Sequence, residues 1–67
     1  MYKTITDSMR HNKEVTVAGH TGKVRGVMME DGSGNCFNVT MLLTQDYRQT
    51  PLAKAGETIT FFVRVRD

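Results

Sequence analysis

Apolar and polar positions alternate with period two near the C-terminus. In Thr58-Ile59-Thr60-Phe61-Phe62-Val63-Arg64-Val65-Arg66, one side carries Ile59, Phe61, Val63 and Val65, and the other carries Thr60, Phe62, Arg64 and Arg66. That is the pattern of a half-buried β-strand rich in β-branched and aromatic residues. Two hairpins are predicted before it. Glu14–Ala18 runs into a turn at Gly19-His20-Thr21-Gly22, and Lys23–Met29 leads out. Asp31-Gly32-Ser33-Gly34 then turns the chain into Cys36–Leu42, because Asp-Gly between apolar runs suits the positive φ of a tight turn. Gly26 in mid-strand marks a bend or a close backbone approach. Between the third and fourth strands, Thr50 can cap, Pro51 suits a first helical position and Gly56 suits the position past the end, which predicts a helical turn over 51–55. The N-terminus reads two ways: Tyr2–Thr6 as an edge strand, or Asp7 as the cap of a short helical turn ending near Asn12. The expected class is all-β, or β with one short helix: a small antiparallel barrel of four to five strands in a single domain, 1–67.

Composition narrows what such a domain can do. At 67 residues, a second site or a large cofactor would compete with the core for the same few side chains. Apolar residues make up 39% of the chain and include five methionines, which fill gaps without specifying them sharply. Some apolar surface is therefore expected to be completed by a second copy, making a homo-oligomer, or by a partner. Cys36 stands alone, so an intrachain disulfide is excluded. Together with His11 and His20 it falls one ligand short of the usual four-ligand metal site, and the three show no ligand spacing. No signal-peptide pattern opens the chain, and no run approaches the ~20 apolar residues of a membrane span. The expectation is a soluble, cytoplasmic protein without metal, cofactor or membrane partner.

Signals for catalysis are missing as well. Glu30 and Asp31 are adjacent, but neighbouring strand residues face opposite ways, and the turn claims Asp31. Gly19-His20-Thr21-Gly22-Lys23 has the residues of a phosphate loop without its spacing or its helix. His20 reads as an exposed hairpin-tip residue and Cys36 as a small buried hydrophobe. The chain is expected not to be an enzyme. Net charge is +2, with a pI near 9.0, a lean toward nucleic acid that depends on how the charges are arranged. Phe62, Arg64 and Arg66 share one strand face at a spacing of roughly 6.5–7 Å per two residues. That spacing matches a phosphate repeat, and an aromatic beside arginines can stack a base. Lys23 and Arg25 make a second basic pair, and would complete a basic groove if the two strands were neighbours. The plain alternative is that Phe62 belongs to a small second core and the arginines protect an edge strand.

The segment from Lys13 to Leu42 resembles the first motif of the Sm/Lsm RNA-binding family. The likeness rests on Val15-Thr16-Val17, a glycine turn ending at Gly22, mid-strand Gly26, Asp31, Asn35 and the apolar step Phe37-Asn38-Val39. The family's second motif, an apolar-Arg-Gly step into a fifth strand, has no counterpart here. The resemblance implies a strongly bent small barrel, a ring oligomer, and single-stranded RNA held near the Asp31 and Asn35 loop. A fainter likeness runs to cold-shock and related OB-fold domains, through Thr21-Gly22-Lys23-Val24, Phe37 with Val39, and Leu52 to Val63 with Gly56. The barrel is accordingly expected to be SH3/Sm-like or OB-like.

The function expected from the sequence is non-catalytic binding of single-stranded RNA or DNA through Lys23, Arg25, Phe62, Arg64 and Arg66. The alternative is a small protein-binding or inhibitory module, of the kind found among phage and plasmid accessory proteins. That module would use Met28, Met29, Met41 and a strand edge to dock on a host protein.

Overall fold

The computed structural model describes residues 2–29 and 36–64. Helix α1 spans Tyr2–His11, and strands β1 (Glu14–Val17), β2 (His20–Met29), β3 (Cys36–Leu43) and β4 (Thr58–Arg64) follow. The strands form one antiparallel sheet in the order β1-β2-β3-β4, with β1 and β4 at its two edges. This is the expected class, an antiparallel β meander with one short helix, and the ladder seen is an open sheet. The helix is too short and polar to cross a membrane, and no other helix occurs among the described residues.

The short helix lies at the N-terminus, not over 51–55. Tyr2, Ile5 and Ser8 recur every three residues on one helical face. Ile5 and Ser8 are fully buried, and the Tyr2 ring lies 5.3 Å from that of Phe37. Arg10 and His11 occupy the last turn, where cations favour the helix dipole. The helix stops at Asn12, whose φ is 52°, and the Lys13 N–H donates back to the Ser8 carbonyl at 3.1 Å. That bond closes a Schellman-type C-cap. The expected end near Asn12 is therefore correct, while Asp7 is an interior helical residue and not a cap.

The first hairpin turns earlier than its glycines suggest. Val17 pairs with His20, and the turn consists of Ala18 and Gly19, both at positive φ (50° and 81°). Such two-residue turns match the twist of the strands they join. Gly22 belongs to strand β2, where β3 passes so close that a Cβ would collide with the Leu42 carbonyl and Leu43 Cα. Further along, Val24 pairs with Met41 and Gly26 with Thr40, leaving Arg25 as the extra residue of a β-bulge. The expected second turn, Asp31–Gly34, lies outside the described residues, as do Val65 and Arg66.

Strands β3 and β4 pair without interruption from Cys36–Arg64 to Leu42–Thr58. Alternation sends Phe37, Val39, Met41 and Leu43 into the core, with Ile59, Phe61 and Val63 opposite them on the same side. Ile5, Val17 and Val24 complete that core. Between β3 and β4, the expected helical turn over 51–55 is replaced by an irregular excursion. Tyr47 and Ala53 exchange two backbone hydrogen bonds (2.8 and 3.1 Å), and the peptide before Pro51 is cis. Asp46 accepts the Ala55 N–H and Glu57 the Lys54 N–H, so amides a helix would have paired find side-chain acceptors instead.

Ser8 joins the helix to the sheet. Continuing the β1–β2 register by one step would place Lys13 opposite Val24. In place of that pair, the Ser8 hydroxyl donates to the Lys13 carbonyl and accepts the Val24 N–H at 3.0 Å. Ser8→Ala leaves the buried Val24 N–H and the half-buried Lys13 carbonyl without this partner, at an expected cost of about 1–3 kcal/mol. For a domain of this size, each kcal/mol lowers the melting temperature by roughly 4–8 °C. Thermal melts followed by circular dichroism should show that drop for Ser8→Ala and almost none for Thr6→Ala. Equal melting of both variants would remove the bridge from the account.

Candidate functional site

The two faces of the sheet differ sharply. One packs on the core and carries α1. The other turns outward, and pairing register lays it out in rows. Thr16 and Thr21 make one row; Glu14, Lys23, Leu42 and Thr58 the next; then Gly26, Thr40 and Thr60; then Met28, Asn38 and Phe62; and last Arg64, paired with buried Cys36. Met28 is 70% exposed and Phe62 54%, and they flank Asn38 of β3 from the two neighbouring strands. Thr40 and Thr60 hydrogen-bond to each other across β3 and β4 at 2.9 Å. Around Gly26, the residues Val27, Met28, Asn38, Thr40 and Thr60 line a shallow hollow of about 360 Å³.

The residues singled out from the sequence are only partly brought together. Phe62 and Arg64 stand on the outer face as alternation predicts, and both are exposed. Lys23 shares that face, but β3 separates its strand from β4, so the neighbouring strands that a continuous basic groove required are not neighbours. Lys23 is level with Thr58, six residues from Arg64, or roughly 20 Å along the strand. Arg25 follows Lys23 by two residues, with buried Val24 between them, and is the extra residue of the bulge. Its guanidinium donates to Asn12 Oδ1 at 3.4 Å, beside the end of α1. Arg66 lies outside the described residues. Of the methionines proposed for protein docking, Met28 and Met29 are exposed and Met41 is fully buried in the core.

His20 is not an exposed tip residue. It is 8% exposed, with its ring stacked between Tyr47 (3.8 Å, 16°) and Phe61 (3.9 Å, 13°). Nδ1 lies 3.3 Å from the Val17 carbonyl. The three-ring stack ties the 44–57 excursion to the sheet. Its members are far apart in the chain, so no local pattern announces it. Cys36 is buried and free, as expected of a small hydrophobe. Thr60 shares the Phe62 face by the alternation of the last strand, whereas the placing of Asn38 and Thr40 beside them is not carried by that strand's pattern. Alternation along β3 and β4 puts them on the Phe62 face, a signal that needed only the register.

No family model matches the chain, and neither a curated protein nor a solved structure resembles it closely enough to carry a name or a function.

The stack gives His20 a packing role. Each aromatic pair contributes about 0.5–1.5 kcal/mol beyond its buried area. His20→Ala should therefore lower the melting temperature markedly, and His20→Phe should recover most of the loss. A His20→Phe protein that melts like the wild type but has lost ligand binding would show that the imidazole has a role beyond packing.

Proposed function

We propose that the protein binds single-stranded nucleic acid on the outer face of its sheet and performs no catalysis there. The observation that carries this reading is the exposed Phe62 ring, set in a row with Asn38 and Met28 and followed on the same strand face by Arg64. An open sheet face of this kind offers an unpaired base a flat apolar surface, with hydrogen-bonding groups beside it. Arg64 at one end and Lys23 toward the other are suited to phosphates entering and leaving, with Arg25 as an outlying cation. The first-motif resemblance to the Sm/Lsm family supports the same class of ligand. In this reading the protein is a cytoplasmic binding module, and any self-association would add further faces of the same kind.

A second reading has its own observation. Met28 and Phe62 are both exposed on this face, and β4 is an edge strand, so the same surface suits a host protein that adds a strand or buries the apolar patch, while exposed Met29, paired with Phe37, belongs to the other face. Salt separates the two, because phosphate binding releases counterions and apolar docking does not.

Fluorescence anisotropy with labelled single strands and duplexes, at several salt concentrations, tests the proposal. Phe62→Ala should weaken single-strand binding by about 5- to 150-fold, the equivalent of 1–3 kcal/mol of stacking, and duplex binding less. Arg64→Gln should weaken both and flatten the salt dependence by about 0.7 for each phosphate that is no longer neutralised. If the unmodified protein binds neither RNA nor DNA single strands at low salt, the proposal fails and protein docking takes its place.

A further inference from the structure

Gly26 stands out among the glycines of the sheet. A glycine in mid-strand weakens the strand, so its presence calls for a reason. Among the described glycines, Gly19 and Gly56 sit at positive φ, and Gly22 lies directly beneath the Leu42 carbonyl. Gly26 has neither reason; it follows the extra residue of the bulge, but without the positive φ that would make the bulge require a glycine. Its φ is outside the left-handed region, and a Cβ built on it would meet only Thr40 Cβ, at an ordinary 3.9 Å. The fold therefore has room for a Cβ at this position. What a side chain would take away is the hollow, whose floor Gly26 forms.

We propose that the hollow over Gly26 is a base pocket, which receives one unpaired nucleobase while Phe62 stacks a neighbouring one. The inference rests on the reading of this face as a single-strand platform. Size limits the occupant: about 360 Å³ is at the small end of the roughly 300–1,000 Å³ range of ligand pockets, enough for one base and not for a folded element. Chemistry selects a base over an aliphatic side chain. Of the two hydroxyls in the Thr40–Thr60 pair, one donates to the other, and the acceptor keeps its own O–H for a ligand while lone pairs remain on both. The pair can thus meet a base carbonyl, a ring nitrogen or an exocyclic amine. An aliphatic occupant would strip water from those hydroxyls without replacing it. The charge on the face also fits a polyanion. Lys23 and Arg64 stand toward its two ends, and Glu14, the acidic residue among its described members, accepts a hydrogen bond from Thr44.

Gly26→Val is the variant that tests this, with Gly26→Ala as the smaller change. Gly26→Ala should melt at or above the wild-type temperature, because its Cβ has room; the melt of Gly26→Val is recorded beside it, so that its binding is compared as a folded protein. Anisotropy is read with a short labelled oligouridine and with the same strand carrying one abasic position. The wild type should bind the abasic strand more weakly. Gly26→Val should lose about tenfold or more on the intact strand and keep its salt slope, since the cations that meet the phosphates are untouched. It should also bind the intact and abasic strands alike, so that the two losses do not add. If Gly26→Val and Gly26→Ala bind as the wild type does while Phe62→Ala is weakened, the base pocket is refuted and the platform stands. Additive losses also refute it. If the wild type binds neither strand, the platform fails and the pocket fails with it.

Discussion

A ten-residue helix packs on β1 and β2, and through Tyr2 on β3, and much of the molecule follows from that constraint. The buried column of β3, Phe37, Val39, Met41 and Leu43, needs apolar cover, and it receives Ile5 from the helix together with the inward residues of β2 and β4. Ser8 holds the arrangement in place by substituting its hydroxyl for one step of the β1–β2 ladder. The helix therefore has a fixed seat on the sheet, set by hydrogen bonds as well as by packing. With the apolar residues committed to that side, the opposite face keeps threonines, an asparagine and an exposed phenylalanine and methionine in contact with solvent.

The outer face is set in register by structure that takes no part in it. The stack of Tyr47, His20 and Phe61 lies on the core side and anchors the long excursion between β3 and β4. The backbone bonds of Leu43 with Glu57 and of Gly56 with Leu43 close that excursion at its base. The register of β3 against β4 is thus fixed at one end by the excursion and along its length by seven residue pairs. Because a slip of one residue would exchange the two faces, this register is what keeps Phe62 outward and Val63 inward.

The strand order along the chain and the facing of β4 could be read from the sequence, because both rest on local alternation. Ile59, Phe61 and Val63 face the core, and Phe62 and Arg64 face solvent, as their spacing predicts. Glycine and proline were less reliable punctuation. Gly22 marks a close approach between strands, and Ala18 takes the positive φ that a glycine would be expected to fill. Thr50-Pro51 resembles a helix start, but Asp46 and Glu57 supply acceptors that make a helix unnecessary there. Lys23 and Arg25 do not adjoin Arg64 for a topological reason, since β3 stands between their strand and β4. The burial of His20 is invisible in the sequence because its two partners come from distant segments, and contacts of that kind leave no periodic trace.

The central claim is that the uncovered sheet face is the working surface. Backbone amide and methyl NMR spectra recorded during titration with a single-stranded oligonucleotide test it most directly. The account predicts that shifts concentrate on Gly26, Met28, Asn38, Thr40, Thr60, Phe62 and Arg64, while Ile5, Val17 and the helix stay unmoved. Shifts centred on the helix, or none on the outer face at saturating ligand, would contradict it.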